Sequence, residues 1–314
     1  MYTSRNTIID TTDKEKMKCL LQQMLDKFVE VCEQNKLHYY LAAGTVLGAI
    51  RHKGMIPWDD DIDVYLMRSD YEKIQKLPQV VWGEGMRLSS WRNAPLYRYH
   101  FLKIELTNTT LIEQFDPMYI GGVYLDIFPL DDVPMNKENA RVQNAEIRKC
   151  FNKYYLINAT TPNQSGSFFQ YVKYKWKHWY YSMQHIQDYW DNIASRYEGT
   201  SEYMADYHSE GYEKPMMKKW FGEGTMAEFE GKQYRIPVDY DAYLTYMYGD
   251  YMTPPPITDR EGHPWFYVNM EKRIEGNELL TVMNCIRKKI SFQFKLSNEW
   301  KYLTNKLCAK NKIS

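Results

Sequence analysis

The sequence predicts an α/β (α+β) protein, and three observations carry that prediction. Up to about residue 135, short apolar, β-branched runs alternate with helical periodicities. From Asn136 the texture changes to long helical patterns dense in Tyr and Trp. The 314 residues are 44% hydrophobic and 25% charged, a globular composition with length enough for a sizeable core.

Taken in order, Asp13 is placed to cap a helix over Lys14–Asn35. Its apolar positions Met17, Leu20, Leu21, Met24, Leu25, Phe28 and Val31 recur at helical spacing. A short strand follows at His38–Ala43, then the glycine-punctuated segment Gly44–Gly48, then a strand at Ile62–Met67. Ser69 or Asp70 can start a helix running to Leu77. Further strands are expected at Met86–Trp91, Tyr97–Leu106 and Val123–Phe128. Helices are expected over Asn136–Ala159 and Gly166–Tyr197, broken at Thr160-Thr161-Pro162-Asn163. Glu230-Gly231 predicts a hairpin between Met226–Phe229 and Gln233–Ile236. Asp239 opens a short helix to Tyr248, Pro254-Pro255-Pro256 is extended, and the last element, Glu278–Lys310, is helical.

Forty basic residues balance forty acidic ones, which excludes nucleic-acid coating through bulk charge. No apolar run reaches the roughly 18–20 residues of a spanning helix, and Met1–Asp13 has no apolar leader core. The chain reads as soluble and cytoplasmic. Its five cysteines are widely spaced and form no CxxC pair, so free thiols are expected rather than disulfides or structural zinc.

The most informative stretch is Ile56-Pro57-Trp58-Asp59-Asp60-Asp61-Ile62-Asp63-Val64. Asp is a poor strand former, and packed like charges repel. Residues i and i+2 of a strand share a face, so Asp61 and Asp63 aim one way while Ile62 and Val64 aim into a core. Hard cations such as Mg²⁺ favour carboxylate oxygens, which makes this a candidate metal strand. A solvated acidic turn is the alternative. Asp126 stands inside the apolar run Val123–Leu130, and a buried lone carboxylate needs a partner or a metal. If its strand lies beside Ile62–Val64, Asp126 completes a three-carboxylate cation site. Asp131 and Asp132 are expected in a loop. Gly44 and Thr45 open a helix whose amides can receive a phosphate. Arg51 can grip a phosphate bidentately, with His52 and Lys53 beside it, and Lys103 supplies a second cation.

These residues resemble the signature of the LicD family. The match runs from Gly44-Thr45 through Arg51-His52-Lys53-Gly54 to Asp59-Asp60-Asp61-Ile62-Asp63. It continues at Lys103, Asn108-Thr109, Asp126–Asp131, Tyr248–Met252, Pro254-Pro255, Arg260 and His263. Members are phosphocholine transferases of bacterial surface glycans (lipopolysaccharide, teichoic acid or capsule), related to the fukutin group. The resemblance implies a nucleotidyltransferase-like fold, a small mixed sheet flanked by helices, with a catalytic core over 1–135. An aromatic-rich helical insertion over 136–223 would recognise the acceptor, and 224–314 would complete the core and end in a basic helix.

By the same resemblance, Asp61, Asp63 and Asp126 are catalytic and hold Mg²⁺ (or Mn²⁺), while Asp59 and Asp60 have no assigned role. Gly44, Thr45, Arg51, His52, Lys103, Arg260 and His263 bind substrate. The donor is CDP-choline or a similar nucleotide, and the acceptor is a hydroxyl of a glycan, free or lipid-linked. Asp126 is the carboxylate expected to orient that hydroxyl or accept its proton. No nucleic acid is involved. Nucleotidyl transfer from a nucleoside triphosphate is the alternative chemistry, and glycan or nucleotide binding without catalysis is the alternative class.

The aromatics Tyr154, Tyr155, Trp176, Trp179, Tyr180, Tyr181, Tyr189 and Trp190 can form a cage for a quaternary ammonium, or simply pack helices. From Asn277 to Ser314, eight Lys or Arg stand against two Glu. That excess suits peripheral contact with an anionic inner membrane face, against the alternative of a packed final helix with a solvated basic side.

Overall fold

The computed structural model describes residues 11–94, 96–113, 118–158, 169, 172–173, 176, 183–208, 214–260, 262 and 265–296. Its centre is a mixed sheet of β1 (Tyr39–Leu41), β2 (Asp63–Met67), β7 (Tyr124–Asp132), β4 (Leu102–Leu106) and β3 (Met86–Ser89), in that spatial order. β2 and β7 run parallel; the other neighbours are antiparallel. The far end of β7 pairs with β8 (Tyr203–Ala205), which pairs with β9 (Met216–Met217).

Alternation along these strands decides what each face carries. Val64, Leu66, Leu125, Ile127, Leu102 and Ile104 are wholly buried in the main core, which also takes the apolar stripe of α1 (Thr11–Gln34). The other face carries Asp63, Asp126, Lys103 and Ser89 in a single row across β2, β7, β4 and β3.

The expected elements mostly appear with shifted ends. Neither Ser69 nor Asp70 caps a helix: both lie inside α3 (Arg68–Ile74), which has no side-chain cap and ends before Leu77. Asp70 instead accepts from the His38 N–H at 2.9 Å and pairs with Lys73. Of Tyr97–Leu106 only Leu102–Leu106 is strand. The part before it folds into a separate aromatic cluster of Trp91, Tyr97, Tyr99, Phe101 and Tyr119. The hairpin forms as β10 (Thr225–Phe229) and β11 (Lys232–Ile236). Its turn takes positive φ at both Glu230 (51°) and Gly231 (76°), the two-residue geometry that matches strand twist. Not foreseen were β5 (Thr110–Glu113), β6 (Ile120–Gly121) and β12 (Trp265–Asn269), which form a second small sheet.

Helices α4 (Lys137–Asn158) and α5 (Met183–Ala194) enclose a core of their own with Ala205 and Tyr207. After the hairpin come α6 (Tyr240–Tyr248), capped by Asp239, and α7 (Gly276–Leu296). Most of the stretch expected as helix before Met183, and the chain beyond Leu296, lie outside the described residues.

Asp131 and Asp132 are not loop residues. Both lie in β7 and are buried. Asp131 is held by Arg68 through Nε at 2.5 Å and Nη2 at 2.8 Å, and Arg68 reaches on to Asp191 of α5 at 2.8 Å. Asp132 pairs with Lys218 and accepts from the Thr200 and Ser201 N–H groups. Two buried acids in a strand are tolerated because each has charged or amide partners. This network ties the helical layer to the end of the sheet.

Gly48, inside α2 (Ala43–His52), is constrained by the turn that ends the helix. Lys53 turns left-handed (φ 60°) and brings the chain back, so a Cβ on Gly48 would come to 2.5 Å of the Gly54 carbonyl oxygen. Helix propensity alone favours Gly48→Ala by about 1 kcal/mol. Overlap with backbone costs about 1–3 kcal/mol. Urea denaturation of Gly48→Ala is therefore expected to show a net loss of stability.

For Asp131, burial alone would raise the carboxyl, but Arg68 and His208 outweigh it and hold it below the usual carboxylate range. A depressed folded-state value gives stability that is present above the ordinary carboxylate pKa and is lost as pH falls below it. Asp131→Asn is expected to cost about 3–5 kcal/mol at neutral pH. Its urea midpoint should also fall less steeply than wild type between about pH 4 and pH 2.

Candidate active site

Two neighbouring parallel strands build the acidic centre. Asp63 at the start of β2 lies in register with Asp126 of β7, and the Asp126 N–H donates to the Ile62 carbonyl at 2.9 Å. Asp61 precedes Asp63 by two residues. Oxygens of Asp61, Asp63 and Asp126 lie within 4.8 Å of one another, and so do those of Asp59, Asp60 and Asp61. Asp61 belongs to both groups. Asp61 and Asp126 are buried, and Asp63 is half-buried.

This geometry depends on supports from neighbouring elements. Thr45, expected to bind substrate, is buried, and its hydroxyl accepts from the Asp63 N–H at 2.9 Å, tethering the start of β2 to α2. The carboxylate of Asp59 lies against Gly44; a Cβ there would come to 2.9 Å of Asp59 Oδ2. The amino end of α2, expected to receive a phosphate, thus already has an anion of the chain beside it, as its dipole favours. Ala43, at φ 42°, donates to the Tyr243 hydroxyl of α6 at 3.2 Å. Gly262 makes room for Asp60 in the same way as Gly44 does for Asp59. Glu230, at the hairpin turn, accepts from the Met55 N–H at 2.8 Å and pairs with Lys18 at 2.7 Å, fixing the approach to the acidic run.

The expected basic residues divide into two places. Arg51, His52 and Arg260 gather around Trp58: the guanidinium carbons lie 5.8 and 4.5 Å from its ring centroid, and His52 meets it edge-on. Arg51 donates to the Tyr251 carbonyl at 2.8 Å and Arg260 to that of Pro255 at 2.9 Å. Among the described residues, neither guanidinium has a carboxylate in ion-pair contact. Burial and then the Arg260 charge lower the Arg51 pKa, and burial and then Arg51 lower that of His52. Two mutually repelling cations, partly buried on one indole, make a basic corner. His263 lies outside the described residues.

Lys103 is elsewhere. It is 1% exposed, and its ammonium lies 2.8 Å from Asp126 Oδ1 and 3.8 Å from Glu113. Burial lowers its pKa, while Asp126, Glu105 and Asp61 pull the other way. Asp126 therefore meets the need of a buried carboxylate through a lysine on the adjacent strand.

Of the aromatics proposed as a cage, Tyr154 and Trp190 are buried. Trp190 stacks on His100 at 3.6 Å, with Tyr154 edge-on to the same histidine, so these rings are core. Tyr155, Trp176 and Tyr189 are exposed, and Trp179, Tyr180 and Tyr181 lie outside the described residues. Trp58 as a shelf and the supports Tyr243, Glu230 and Gly262 were not singled out from the sequence. Trp58 alone had a local signal, its place beside the acidic run.

A strand pair carrying three convergent carboxylates beside a basic corner suits phosphoryl or nucleotidyl chemistry. Comparison with known proteins agrees. The chain is 29% identical to the lipopolysaccharide cholinephosphotransferase LicD of Haemophilus influenzae, over 81% of this chain and 96% of that protein. It is 41% identical to an uncharacterized protein of Rickettsia typhi over 21% of each chain. A third relative, an uncharacterized protein of Rickettsia prowazekii, is 42% identical over 19% of this chain and 23% of its own. Residues 36–161 match the nucleotidyltransferase domain model of the LicD/FKTN/FKRP family, a range that holds every carboxylate of the acidic centre. The similarity to the LicD family thus lies over the part of the chain that builds the acidic centre.

Proposed function

We propose that this protein is a LicD-type cholinephosphotransferase. It moves phosphocholine, or a similar phospho-headgroup, from a CDP-linked donor to a hydroxyl of a lipopolysaccharide-type glycan, with Mg²⁺ or Mn²⁺ as cofactor. The observation that carries the reading is the register of Asp63 against Asp126 with Asp61 two residues ahead. The activity named for the Haemophilus influenzae relative supports the substrate class.

The donor set fits a hard divalent cation. Three carboxylates contribute oxygens within 4.8 Å of one another, and octahedral ligands at about 2.1 Å stand roughly 3–4 Å apart. Asp61, Asp63 and Asp126 would hold the ion, which when bound supplies charge neutralisation at the transferred phosphoryl group and the leaving phosphate. Arg51 and Arg260 hold donor phosphate oxygens, with Trp58 keeping both guanidiniums in place. Asp126 orients the acceptor hydroxyl.

The direct test incubates the protein with lipopolysaccharide, CDP-choline and Mg²⁺. The expected result is an acceptor heavier by one phosphocholine, with CMP released. Consumption of a nucleoside triphosphate with pyrophosphate release instead would overturn the donor assignment. Asp63→Asn is expected to lower turnover by about 10³-fold, or roughly 4 kcal/mol of barrier. It also relieves carboxylate repulsion, so its melting temperature without metal should hold or rise. Near-normal turnover of this variant at limiting Mg²⁺ would remove the metal role.

The reading extends to the place of action. No helix among the described residues is long and apolar enough to cross a membrane. The excess of eight basic over two acidic residues after Asn277 suits peripheral attachment to the anionic cytoplasmic face, where a lipid-linked acceptor would lie. Co-sedimentation with anionic vesicles is expected at low salt and should weaken at high salt. Equal binding to neutral vesicles would reduce the final helix to packing.

A further inference from the structure

We infer that Lys103 is a positioning residue of the cation site: its ammonium occupies one oxygen of Asp126, so that Asp126 offers a cation a single oxygen and the site favours a small ion over a large one. The inference rests on the metal role proposed above for Asp61, Asp63 and Asp126.

Three observations hold the ammonium in place. Lys103 and Asp126 are directly paired across β4 and β7, so the backbone itself sets them side by side. Nζ lies 2.8 Å from Asp126 Oδ1, with Glu113 a more distant second anion at 3.8 Å. Two rings bracket the charge, that of Tyr124 with its centroid 3.1 Å away and that of Tyr99 at 3.9 Å. α5 in turn fixes the segment that carries Tyr99, because Gln187 donates to the Tyr97 and Tyr99 carbonyls. For the ammonium to reach a donor phosphate it would have to leave both rings and strip a buried carboxylate of its partner. Lys103 therefore acts on Asp126 and not on the donor.

The consequence is selectivity. Ca²⁺ takes six to eight oxygens and readily uses both oxygens of a carboxylate, whereas Mg²⁺ demands six at octahedral positions and keeps waters. A carboxylate with one oxygen already engaged suits Mg²⁺. Freeing that oxygen restores the two-oxygen grip that Ca²⁺ uses.

The test is calorimetric titration of the full chain with Mg²⁺ alone and with Ca²⁺ alone, in wild type, Lys103→Met and Lys103→Gln. The glutamine is one atom short of Asp126, and its polar end suits burial should the methionine variant not fold. Wild type is expected to bind Mg²⁺ more tightly than Ca²⁺. Both variants are expected to raise the Ca²⁺-to-Mg²⁺ affinity ratio by about tenfold or more, the scale on which outer partners tune metal sites. A wild type that takes Ca²⁺ as tightly as Mg²⁺ overturns the inference. So does a ratio that stays within about twofold of wild type in the variants. Donor kinetics then read the alternative: Lys103 as a positioning residue leaves KM for CDP-choline near wild type while kcat falls. A raised KM with an unchanged ratio would make Lys103 a phosphate ligand. The titrations need no donor, so they remain decisive if CDP-choline proves not to be the substrate.

Discussion

Much of this structure answers one electrostatic problem: carboxylates of like charge brought together on one face of a sheet. Two such charges 4 Å apart repel by about 4 kcal/mol at the effective dielectric of a protein near its surface. The parallel register of β2 and β7 creates the problem by setting Asp63 beside Asp126, with Asp61 within reach of both. On the opposite face of the same strands Val64, Leu66, Leu125 and Ile127 pack into the main core. The strands cannot slip by one residue to separate the charges, because a slip would turn Val64, Leu125 and Ile127 out of that core.

The neighbouring elements divide the remaining work. Lys103 supplies a positive charge from the adjacent strand, and two tyrosine rings stabilise it in a buried position. Thr45, Gly44 and Tyr243 hold the junction between α2 and β2, and Glu230 of the hairpin holds the loop that leads to it. Arg51 and Arg260 stand apart from this balance. They rest on Trp58 and donate to backbone carbonyls. Convergent carboxylates and a basic corner are the two features on which the proposed metal-assisted phosphoryl transfer rests.

The helical layer is joined to this centre by buried charge as well as by apolar packing. Arg68 bridges Asp131 of β7 and Asp191 of α5, and Arg92 reaches Asp191 from the other side at 2.7 Å. His100 and Trp190 stack between the layers. A network of this kind specifies one docking geometry, because each partner left unpaired would carry the full cost of a buried charge. The segment clamped by α5 is the one that brings Tyr99 over Lys103, so the position of the helical layer reaches the acidic centre through a short chain of contacts.

The sequence by itself determined the fold class, the hairpin at Glu230-Gly231, and the candidacy of Asp61, Asp63 and Asp126, which the pairing of β2 with β7 then brought together. Each of these is written in local pattern: period-two alternation, turn chemistry, and a lone acid in an apolar run. The LicD-family resemblance was likewise legible from contiguous motifs, and the comparisons confirm it for residues 36–161. Tertiary structure decided what local pattern cannot carry. Asp131 and Asp132 read as loop residues because their partners Arg68 and Lys218 are 63 and 86 positions away in the chain. Nothing in its own strand reveals that Lys103 lies 2.8 Å from Asp126. Nor does anything near Thr45 reveal that its hydroxyl receives the Asp63 amide of another element. In every such case the deciding quantity was the partner of a buried polar group, and that partner is fixed only when distant strands and helices pack together.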